Sequence, residues 1–505
     1  MYRNNQNLKV IGIAHCFFCF FIFLACGTQD KKHIVEEGKV QKPNIIYILA
    51  DDLGYADLGA YGQDKIETPN LDKLAQQGMV FTNHYTGSTV CAPSRSSWLS
   101  GLHTGHTPIR GNKELEPEGQ EAMPDSVFTI GKLMKASGYT TGAFGKWGLG
   151  FIDTPGDPKN QGFDYFFGYN CQRMAHRYYP EYLWENQQKF SLEGNDWTQK
   201  EVYAQDVIHD KTMGFLESNK DEQFFMFVPL VAPHAELAVP NDEIFQKYRE
   251  RFGDEEPYIG KEGADYGPDL EIIKYQSQDY PRATYAAMVE RIDLYVGEIL
   301  KKVDALGLSE NTIIMFASDN GPHQEGGNDP DFFNSNGPYK GYKRDLYEGG
   351  IRTPFIVKWP GKVSPGSTTD HISSFWDVLP TLADIVGYGE LPDIDGISFL
   401  PTLVNQKNQK QHQYLYWEFV EQGGKQAVRM GKWKAVKLQV RNASRTTMEL
   451  YDLENDPSEQ NDLAMEFPEI VEELKNIMEE SHTTNPVFPL FAHEGEEDTD
   501  IVIID

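Results

Sequence analysis

Four apolar runs that each end beside charged or amide side chains restrict the fold of this chain more than any other feature. They cover residues 44–50, 139–144, 224–231 and 312–317. Continuous apolar runs of this length are typical of strands buried on both faces of a parallel sheet. Ligands of open α/β sheets bind at the carboxyl ends of the strands. We therefore expect one site to gather the residues that follow the runs: Asp51, Asp52, Lys146, His234, Asp319 and Asn320.

The remaining periodicity predicts helices around this sheet and a second, smaller sheet near the C-terminus. Apolar residues recur at helical spacing over 126–137, 285–303 and 376–386. After a polar break at 405–413, four alternating runs indicate antiparallel strands at 414–420, 426–430, 433–440 and 446–452, closed by a helix around 468–480. We predict an α/β catalytic domain at 43–404. An antiparallel subdomain with a solvated acidic tail, from Glu494 onwards, would occupy 405–505.

The N-terminal segment predicts export. Residues 1–25 place Arg3 and Lys9 before a short apolar run, which is typical of a signal peptide. Cys26, after Leu-Ala, resembles the acylated cysteine of a bacterial lipobox. Phe23 stands where that motif usually has Leu, so ordinary cleavage or a plain anchor helix stays open. With residues 26–42 as a flexible tether, we expect a protein of the bacterial periplasm or an outer-membrane lipoprotein, in contact with membrane only through its lipid.

Composition excludes some partners and most disulfides. The formal net charge of -30 argues against binding to nucleic acid or to an anionic membrane surface. An anionic substrate would therefore need a locally positive pocket. Cys16 and Cys19 lie within the signal segment, which leaves Cys91 and Cys171 once Cys26 is acylated. If Cys91 is modified, we expect no disulfide.

Cys91 begins the stretch Cys-Ala-Pro-Ser-Arg, which is followed by Leu-Ser-Gly at 99–101. Pro93 favours the first turn of a helix, and Gly101 would end it. A helix N-terminus favours a thiolate, so this position predicts an acidic, nucleophilic Cys91, with Arg95 one turn further to hold an anion. The alternative is that Cys91 is a small buried apolar residue.

This stretch resembles the signature of the type I sulfatases, Cys-x-Pro-Ser-Arg followed by Leu-x-Ser/Thr-Gly. The resemblance runs from about residue 43 to residue 462, with the motifs in family order. It implies an alkaline phosphatase-like fold and hydrolysis of a sulfate ester of a sugar or glycan. It also implies that a formylglycine-generating maturation enzyme converts Cys91 to Cα-formylglycine, whose hydrated aldehyde is the family's nucleophile.

Three carboxylates and an amide follow the first and last of the apolar runs. Such hard oxygen ligands suit Ca²⁺ or Mg²⁺ better than zinc. The sulfatase resemblance implies that one calcium ion is held by Asp51, Asp52, Asp319 and Asn320, together with the modified Cys91. Taken singly, each of these residues could instead be a turn former or helix cap.

The resemblance also assigns the remaining catalytic residues. Lys146, in Gly-Lys-Trp, and Lys343, in Lys-Arg-Asp-Leu-Tyr-Glu-Gly-Gly, match the family's sulfate-binding lysines. His234, after Pro233, matches the histidine that protonates the departing oxygen. Without the resemblance, the lysines would be read as surface residues and the histidine as structural.

One position departs from the family pattern. The family usually has a histidine two residues after the first lysine, and this chain has Gly148. The identity of the base that assists the second step of the reaction is therefore open, and His176 from a neighbouring loop could serve. Residues near the motifs are also possible substrate contacts or satisfied surface groups: Arg173, His176, Arg177, His323 and Glu418.

Two other functions remain open on the sequence. One is a phosphatase or phosphonate hydrolase of the same superfamily, although such phosphatases usually bind two zinc ions through His spacings that this chain lacks. The other is a catalytically dead glycan-binding lipoprotein. Neither the sugar, the sulfated hydroxyl nor exo versus endo action follows from the sequence.

We predict that Cys91 is converted to formylglycine when the protein is produced with a suitable maturation enzyme. Mass spectrometry of the peptide containing Cys91 would show an aldehyde in place of the thiol, while Cys171 in the same preparation keeps its thiol. A fully active preparation that retains an unmodified Cys91 would contradict this prediction.

Overall fold

A computed structural model of the chain describes residues 42–115, 118–196, 199–260 and 275–494. The predicted signal segment, Cys26 and nearly all of the tether lie outside the described residues, as does the tail from residue 495. In the described part of the chain, no helix is both long enough and apolar enough to cross a membrane.

The strands are listed in chain order. They are β1 (Asn44–Ala50), β2 (Met79–Phe81), β3 (His84–Tyr85), β4 (Glu114–Leu115), β5 (Gly119–Gln120), β6 (Thr140–Lys146), β7 (Tyr165–Tyr169), β8 (Tyr182–Glu185), β9 (Gln188–Ser191), β10 (Phe224–Pro229), β11 (Thr312–Ser318), β12 (Phe355–Lys358), β13 (Ser367–Thr369), β14 (Ser373–Ser374), β15 (Leu415–Phe419), β16 (Lys425–Met430), β17 (Trp433–Leu438) and β18 (Thr447–Asp452).

The α-helices follow the same order. They are α1 (Pro69–Gln77), α2 (Cys91–Ser100), α3 (Ile130–Ala136), α4 (Ala204–Ser218), α5 (Glu243–Phe252), α6 (Pro281–Ala305), α7 (Pro330–Phe333), α8 (Glu348–Ile351), α9 (Val378–Val386), α10 (Leu400–Leu403) and α11 (Pro468–Ser481).

A ten-stranded mixed sheet forms the centre of the described residues. Its order is β13-β2-β12-β11-β1-β10-β6-β7-β8-β9. The five strands from β11 to β7 run parallel, and antiparallel strands extend the sheet on both sides. Because β11, β1, β10 and β6 are neighbours, their carboxyl ends meet at one edge of the sheet.

Helices cover both faces of this sheet, which explains the continuous apolar composition of its strands. Ile46 and Ile48 of β1 pack into a core shared with α1, α4, α5 and α6. The alternate residues Ile45 and Tyr47 pack into a second core with α2, α3 and α9. Successive side chains of a strand point to opposite faces, so a central strand between two helical layers needs apolar residues at every position.

The C-terminal sheet is a separate antiparallel meander, β15-β16-β17-β18. One face packs on α11 through Leu474 and Met478. The other face, which includes Trp417 and Val436, packs on Leu346 and other residues that precede the sheet in the chain. This alternation of buried faces is what the periodic sequence predicts.

The predicted fold class is confirmed, with differences at element ends. β1 has the predicted bounds, and β6 continues past the predicted residue 144 to Lys146. α3 starts at Ile130 rather than 126, because the Thr129 hydroxyl caps it by accepting from the backbone N–H of Lys132. Cys91 and Cys171 are both buried free thiols in the described structure.

The start of the predicted acidic tail is wrong. The Glu494 side chain is only 4% exposed rather than solvated: it accepts from His482 Nε2 at 2.6 Å and from the backbone N–H groups of Leu490 and Phe491. Sequence composition could not show this, because His482 lies twelve residues earlier and meets Glu494 only through the fold.

A buried ionic cluster joins the C-terminal sheet to α8. Lys434 of β17 is fully buried and lies 2.9 Å from Glu348 and 3.0 Å from Glu459. Glu459 also accepts from the backbone N–H of Glu348 at 2.7 Å. Glu348 begins α8, five residues after Lys343, so this cluster attaches the Lys343 loop to the C-terminal sheet.

We expect Lys434→Met to lower the unfolding free energy by about 3–5 kcal/mol, because it leaves two buried carboxylates without their ammonium partner. Thermal unfolding followed by calorimetry measures the change. Lys437→Met, on the opposite face of the same strand and without an ion pair in the described structure, should change stability by no more than about 0.5 kcal/mol. Equal losses in the two variants would show that the ionic cluster is not the cause.

Candidate active site

The carboxyl ends of four neighbouring strands bring the predicted residues together. Asp51 and Asp52 follow β1, Asp319 and Asn320 follow β11, and Lys146 ends β6. His234 lies in the turn after β10, and Cys91 begins α2. All are buried, since each has an exposed fraction of 2% or less. The sheet order therefore places residues more than 200 positions apart within one cluster.

Arg95 links the helix that carries Cys91 to three of these strands. Its Nε donates to Asp319 at 2.9 Å, its Nη2 to Asp51 at 3.1 Å, and its Nη1 to the carbonyl oxygen of Lys146 at 2.6 Å. A buried guanidinium with all three nitrogens bonded has no freedom to rotate toward substrate. Arg95 therefore positions Asp51 and Asp319.

Cys91 is the first residue of α2, and its thiol donates to Asp51 Oδ1 at 3.2 Å. The predicted acidic thiol is wrong. Burial, together with the negative charges of Asp51 and Asp319, raises the pKa of Cys91 well above its ordinary value, and Lys146 offsets only part of this. The thiolate is disfavoured, so an unmodified Cys91 is a poor nucleophile here.

The oxygen donors beside Cys91 fit a hard divalent cation. The Asn320 amide donates to Asp52 Oδ1 at 2.6 Å, but its own Oδ1 is buried without a hydrogen-bond partner in the described structure. Asp52 adopts a left-handed backbone with φ of 65°, which directs it into the cluster. Burial and the charges of Asp51 and Asp52 raise the pKa of Asp319. A cation would satisfy the amide oxygen and stabilise all three carboxylates.

Charge in the cluster is balanced before any ion or substrate binds. Three buried carboxylates face three buried cations, because Lys146 Nζ lies 2.7 Å from Asp51, Lys343 Nζ lies 2.9 Å from Asp52, and Arg95 contacts Asp319. A divalent cation would give the cluster two net positive charges. This excess suits an anionic group such as a sulfate ester, in a protein whose overall charge is strongly negative.

Lys343 and His234 form the other wall of the site. Lys343 Nζ lies 2.9 Å from His234 Nε2 and 3.2 Å from Glu325 Oε2. His234 Nδ1 contacts the carbonyl oxygen of Ala235, so Nδ1 carries the proton and Nε2 accepts from Lys343. Burial and the positive charges of Lys343 and Lys146 lower the pKa of His234 well below 6.5. An anionic substrate would raise this pKa again.

A family model described as Sulfatase matches residues 43–388, and one described as N-sulphoglucosamine sulphohydrolase, C-terminal, matches residues 339–484. The first match spans well over half of the chain. The chain belongs to the sulfatase family. It is therefore a sulfuric ester hydrolase, of a family that generally uses formylglycine and a divalent metal.

Relatives of this sulfatase extend over nearly the whole chain. The N-acetylgalactosamine-6-O-sulfatase of Bacteroides thetaiotaomicron is 29% identical over 92% of this chain and 97% of the relative. The arylsulfatase of Hemicentrotus pulcherrimus is 31% identical over 82% of this chain and 70% of the relative. The crystal structure of Ps i-CgsB with k-i-k-neocarrahexaose is 27% identical, with a TM-score of 0.72 over 90% of this chain and 96% of that one.

The structure at Gly148 also departs from the family pattern, which has a histidine at this position. Its φ is +74°, and a Cβ at this position would lie 2.8 Å from Cγ of Gln172. A histidine here would have to adopt a left-handed backbone and displace Gln172. In this sulfatase the Gln172 side chain therefore packs where a residue-148 side chain would begin.

His176 reaches the site from the neighbouring loop. Its ring stacks on that of His234 with centroids 4.7 Å apart, and its buried Nδ1 has no hydrogen-bond partner in the described structure. Burial, the neighbouring His234 ring and the positive charge of Lys146 lower its pKa well below 6.5, so the imidazole is neutral. Its assignment as the missing base stays a prediction.

The other predicted substrate contacts have protein partners. Arg173 pairs with Glu114 at 2.7 Å, and Arg177 donates to the carbonyl oxygen of His176. His323 bonds backbone groups with both ring nitrogens, accepting from Glu325 N and contacting Pro233 O. Glu418 is fully buried and accepts from Arg110, Tyr416 and His482, so it stabilises the C-terminal sheet. None of these contacts supports a role in binding substrate.

Sequence reasoning missed three charged residues at this site. Glu325 bonds both Lys343 and Arg344. Arg344 has a left-handed φ of 76°, which turns consecutive side chains of the Lys343 loop in different directions. Glu421 comes from the turn after β15. The first two stand within or just before family motifs and could have been suspected, whereas nothing in the sequence marks Glu421.

We expect Asp319→Ala to weaken calcium binding by at least about 100-fold, the upper end of the effect of outer-shell substitutions. The variant removes one carboxylate ligand of the proposed metal and one of the three hydrogen-bond partners of Arg95. Metal analysis after dialysis against calcium buffers measures the loss, and Glu325→Gln is the control because it removes an acid from the same site that is outside the proposed metal ligands. Stoichiometric zinc in the wild type, or full activity in strong chelator, would contradict the calcium assignment.

Proposed function

We propose that this sulfatase removes sulfate from a sulfated sugar, with a formylglycine derived from Cys91 and one calcium ion. The observation that carries this proposal is the balanced, buried cluster around Cys91, which a divalent cation converts into a site for one anionic group. The relative in B. thetaiotaomicron is named as a sulfatase of N-acetylgalactosamine, and Ps i-CgsB is bound to an oligosaccharide. Both support a carbohydrate substrate.

A formylglycine at position 91 would supply the nucleophilic hydroxyl of its aldehyde hydrate, and a bound calcium ion would supply positive charge to the sulfate site. The proposed calcium ligands are Asp51, Asp52, Asp319 and Asn320, together with the modified residue at position 91. Arg95 holds two of these carboxylates in place. Ordered ligands of this kind need no reorganisation when substrate binds.

Lys146 and Lys343 bind the sulfate group in this proposal. Both ammonium groups are buried and held by Asp51 and Asp52, on opposite sides of the cluster. Carboxylate neighbours keep these lysines protonated despite burial, since the pKa of each is raised. They can therefore donate hydrogen bonds to sulfate oxygens as negative charge develops on them.

His234 is the proposed general acid. Its Nε2 faces Lys343, and the proton that it needs can come from that ammonium group or from solvent once the anionic substrate has raised the pKa of the imidazole. The Nδ1 contact with Ala235 fixes the ring so that Nε2 points into the site. Transfer of the proton on Nε2 to the departing sugar oxygen avoids formation of an alkoxide.

Export through residues 1–25, lipidation at Cys26 and conversion of Cys91 by a formylglycine-generating enzyme complete the proposal. The N-terminal sequence pattern supports the first two, and the Cys-Ala-Pro-Ser-Arg stretch supports the third. Release of free sulfate from a panel of defined sulfated sugars, by protein with confirmed formylglycine, tests the activity. If the protein released sulfate from no member of the panel, the sugar assignment would be wrong.

His234→Ala tests the acid role and the sugar assignment together. Sugar alcohols are poor leaving groups, so we expect kcat/KM on the sugar sulfate to fall by about 10²–10⁴-fold. An activated aryl sulfate releases a stable phenolate as its leaving group. On that substrate, kcat/KM should therefore fall far less.

The control is His209→Ala, which removes a histidine of α4 that pairs with Glu298 outside the site. This variant should leave kcat/KM on both substrates unchanged. Equal losses on the sugar and aryl sulfates in His234→Ala would show that His234 binds sulfate rather than protonating the leaving oxygen.

A further inference from the structure

The turn between β15 and β16 brings an acidic residue, Glu421, close to the segment that carries Cys91. Glu421 Oε1 accepts from the backbone N–H of Asn112 at 3.4 Å, and Asn112 Oδ1 accepts from the backbone N–H of Ala92 at 3.2 Å. Ala92 directly follows Cys91. Two hydrogen bonds therefore connect the Glu421 carboxylate to the start of the helix that presents the nucleophile.

The same turn is fastened to the opposite wall of the site. Lys425 Nζ donates to the carbonyl oxygen of Arg344 at 2.7 Å, and it also contacts Gln422 at 2.9 Å. Arg344 directly follows Lys343. Glu421 thus stands between the N-terminus of α2 and the Lys343 loop, on a segment tied to both.

The Glu421 carboxylate can accept further hydrogen bonds. Its Oε2 has no hydrogen-bond partner among the described residues, and the carboxylate forms no ion pair with them. Burial raises the pKa of Glu421, and the charges of Arg344 and Lys343 oppose this rise, but both cations are already paired with Glu325. Arg441, the other cation close to it, is bonded to the carbonyl oxygens of Pro489 and Leu490.

The charged groups around Glu421 therefore favour hydroxyl groups over a second anion. Arg344 and Arg441 are bonded to an acid or to carbonyl oxygens, Arg173 is paired with Glu114, and Lys343 is assigned to the reacting sulfate. A carboxylate accepts hydrogen bonds from hydroxyl groups, whereas it repels a sulfate or carboxylate within a few ångströms. Discrimination by an unfavourable contact with the wrong ligand is a common source of specificity.

We propose that Glu421 is a specificity-determining residue that accepts hydrogen bonds from hydroxyls of the sugar and excludes sugars carrying a second anionic group beside the reacting sulfate. This inference rests on the proposed function, and it names the substrate class more narrowly: a singly sulfated sugar residue with free neighbouring hydroxyls. In this proposal, a residue next to the C-terminal sheet determines which sugars bind. The residues at the carboxyl ends of the larger sheet carry out the hydrolysis.

Competition assays test this proposal without requiring that the natural sugar be known. Hydrolysis of 4-methylumbelliferyl sulfate by the full chain with formylglycine is measured in the presence of N-acetylgalactosamine 6-sulfate or N-acetylgalactosamine 4,6-disulfate. For the wild type, we expect the inhibition constant of the disulfate to be at least about tenfold higher than that of the monosulfate, from the repulsion between two nearby charges.

Substitutions at position 421 should change the ratio of the two inhibition constants. Glu421→Gln keeps the shape and an acceptor oxygen, so the ratio should fall at least about fivefold, and Glu421→Lys should reverse the preference. Glu421→Ala should weaken binding of the monosulfate as well, because the acceptor is lost. Glu466→Gln, an exposed acid before α11, is the matched control and should leave both constants unchanged.

Two results would overturn the proposal, and they differ from a failure of the proposed function. Equal changes of both inhibition constants in Glu421→Gln would indicate a purely structural role, and lack of inhibition by either sugar would show that the site binds no sugar of this class. If the wild type with confirmed formylglycine hydrolysed neither the aryl sulfate nor any sugar sulfate, the sulfatase activity itself would be refuted.

Discussion

The contacts of Arg95 hold the candidate active site together. One buried guanidinium bonds Asp51 after β1, Asp319 after β11 and the backbone of Lys146 at the end of β6. The residue lies one turn into α2, so the same contacts set the position of Cys91 relative to the sheet. A lysine could not replace it, because a single ammonium group cannot bond three separated acceptors in fixed directions.

Electrostatics explain how a strongly acidic protein can act on an anion. Its many surface acids act through water and salt, which screen them over about 10 Å. The catalytic cluster is buried, and its carboxylates are matched by lysines and an arginine at hydrogen-bond distance. A bound divalent cation therefore determines the local sign of the charge, whatever the net charge of the chain.

The C-terminal sheet is part of the site although it holds none of the family's catalytic residues. Lys434 fixes Glu348, and Lys425 fixes the backbone of Arg344, so two lysines of this sheet constrain the loop that carries Lys343. The loop has little regular structure of its own between β11 and α8. Its position depends on contacts made by residues that come about eighty positions later in the chain.

The sequence by itself determined the fold class, the catalytic cysteine motif and the order of the main elements. Buried parallel strands need apolar residues at every position, and this local signal is readable without the fold. The short strands β2, β12 and β13 were not predicted, because only their pairing with neighbouring strands makes them part of the sheet. Tertiary structure alone decided the raised pKa of Cys91, the burial of the Glu494 side chain and the position of Glu421 near the N-terminus of α2. Each depends on charges and partners that are distant in sequence and close in space.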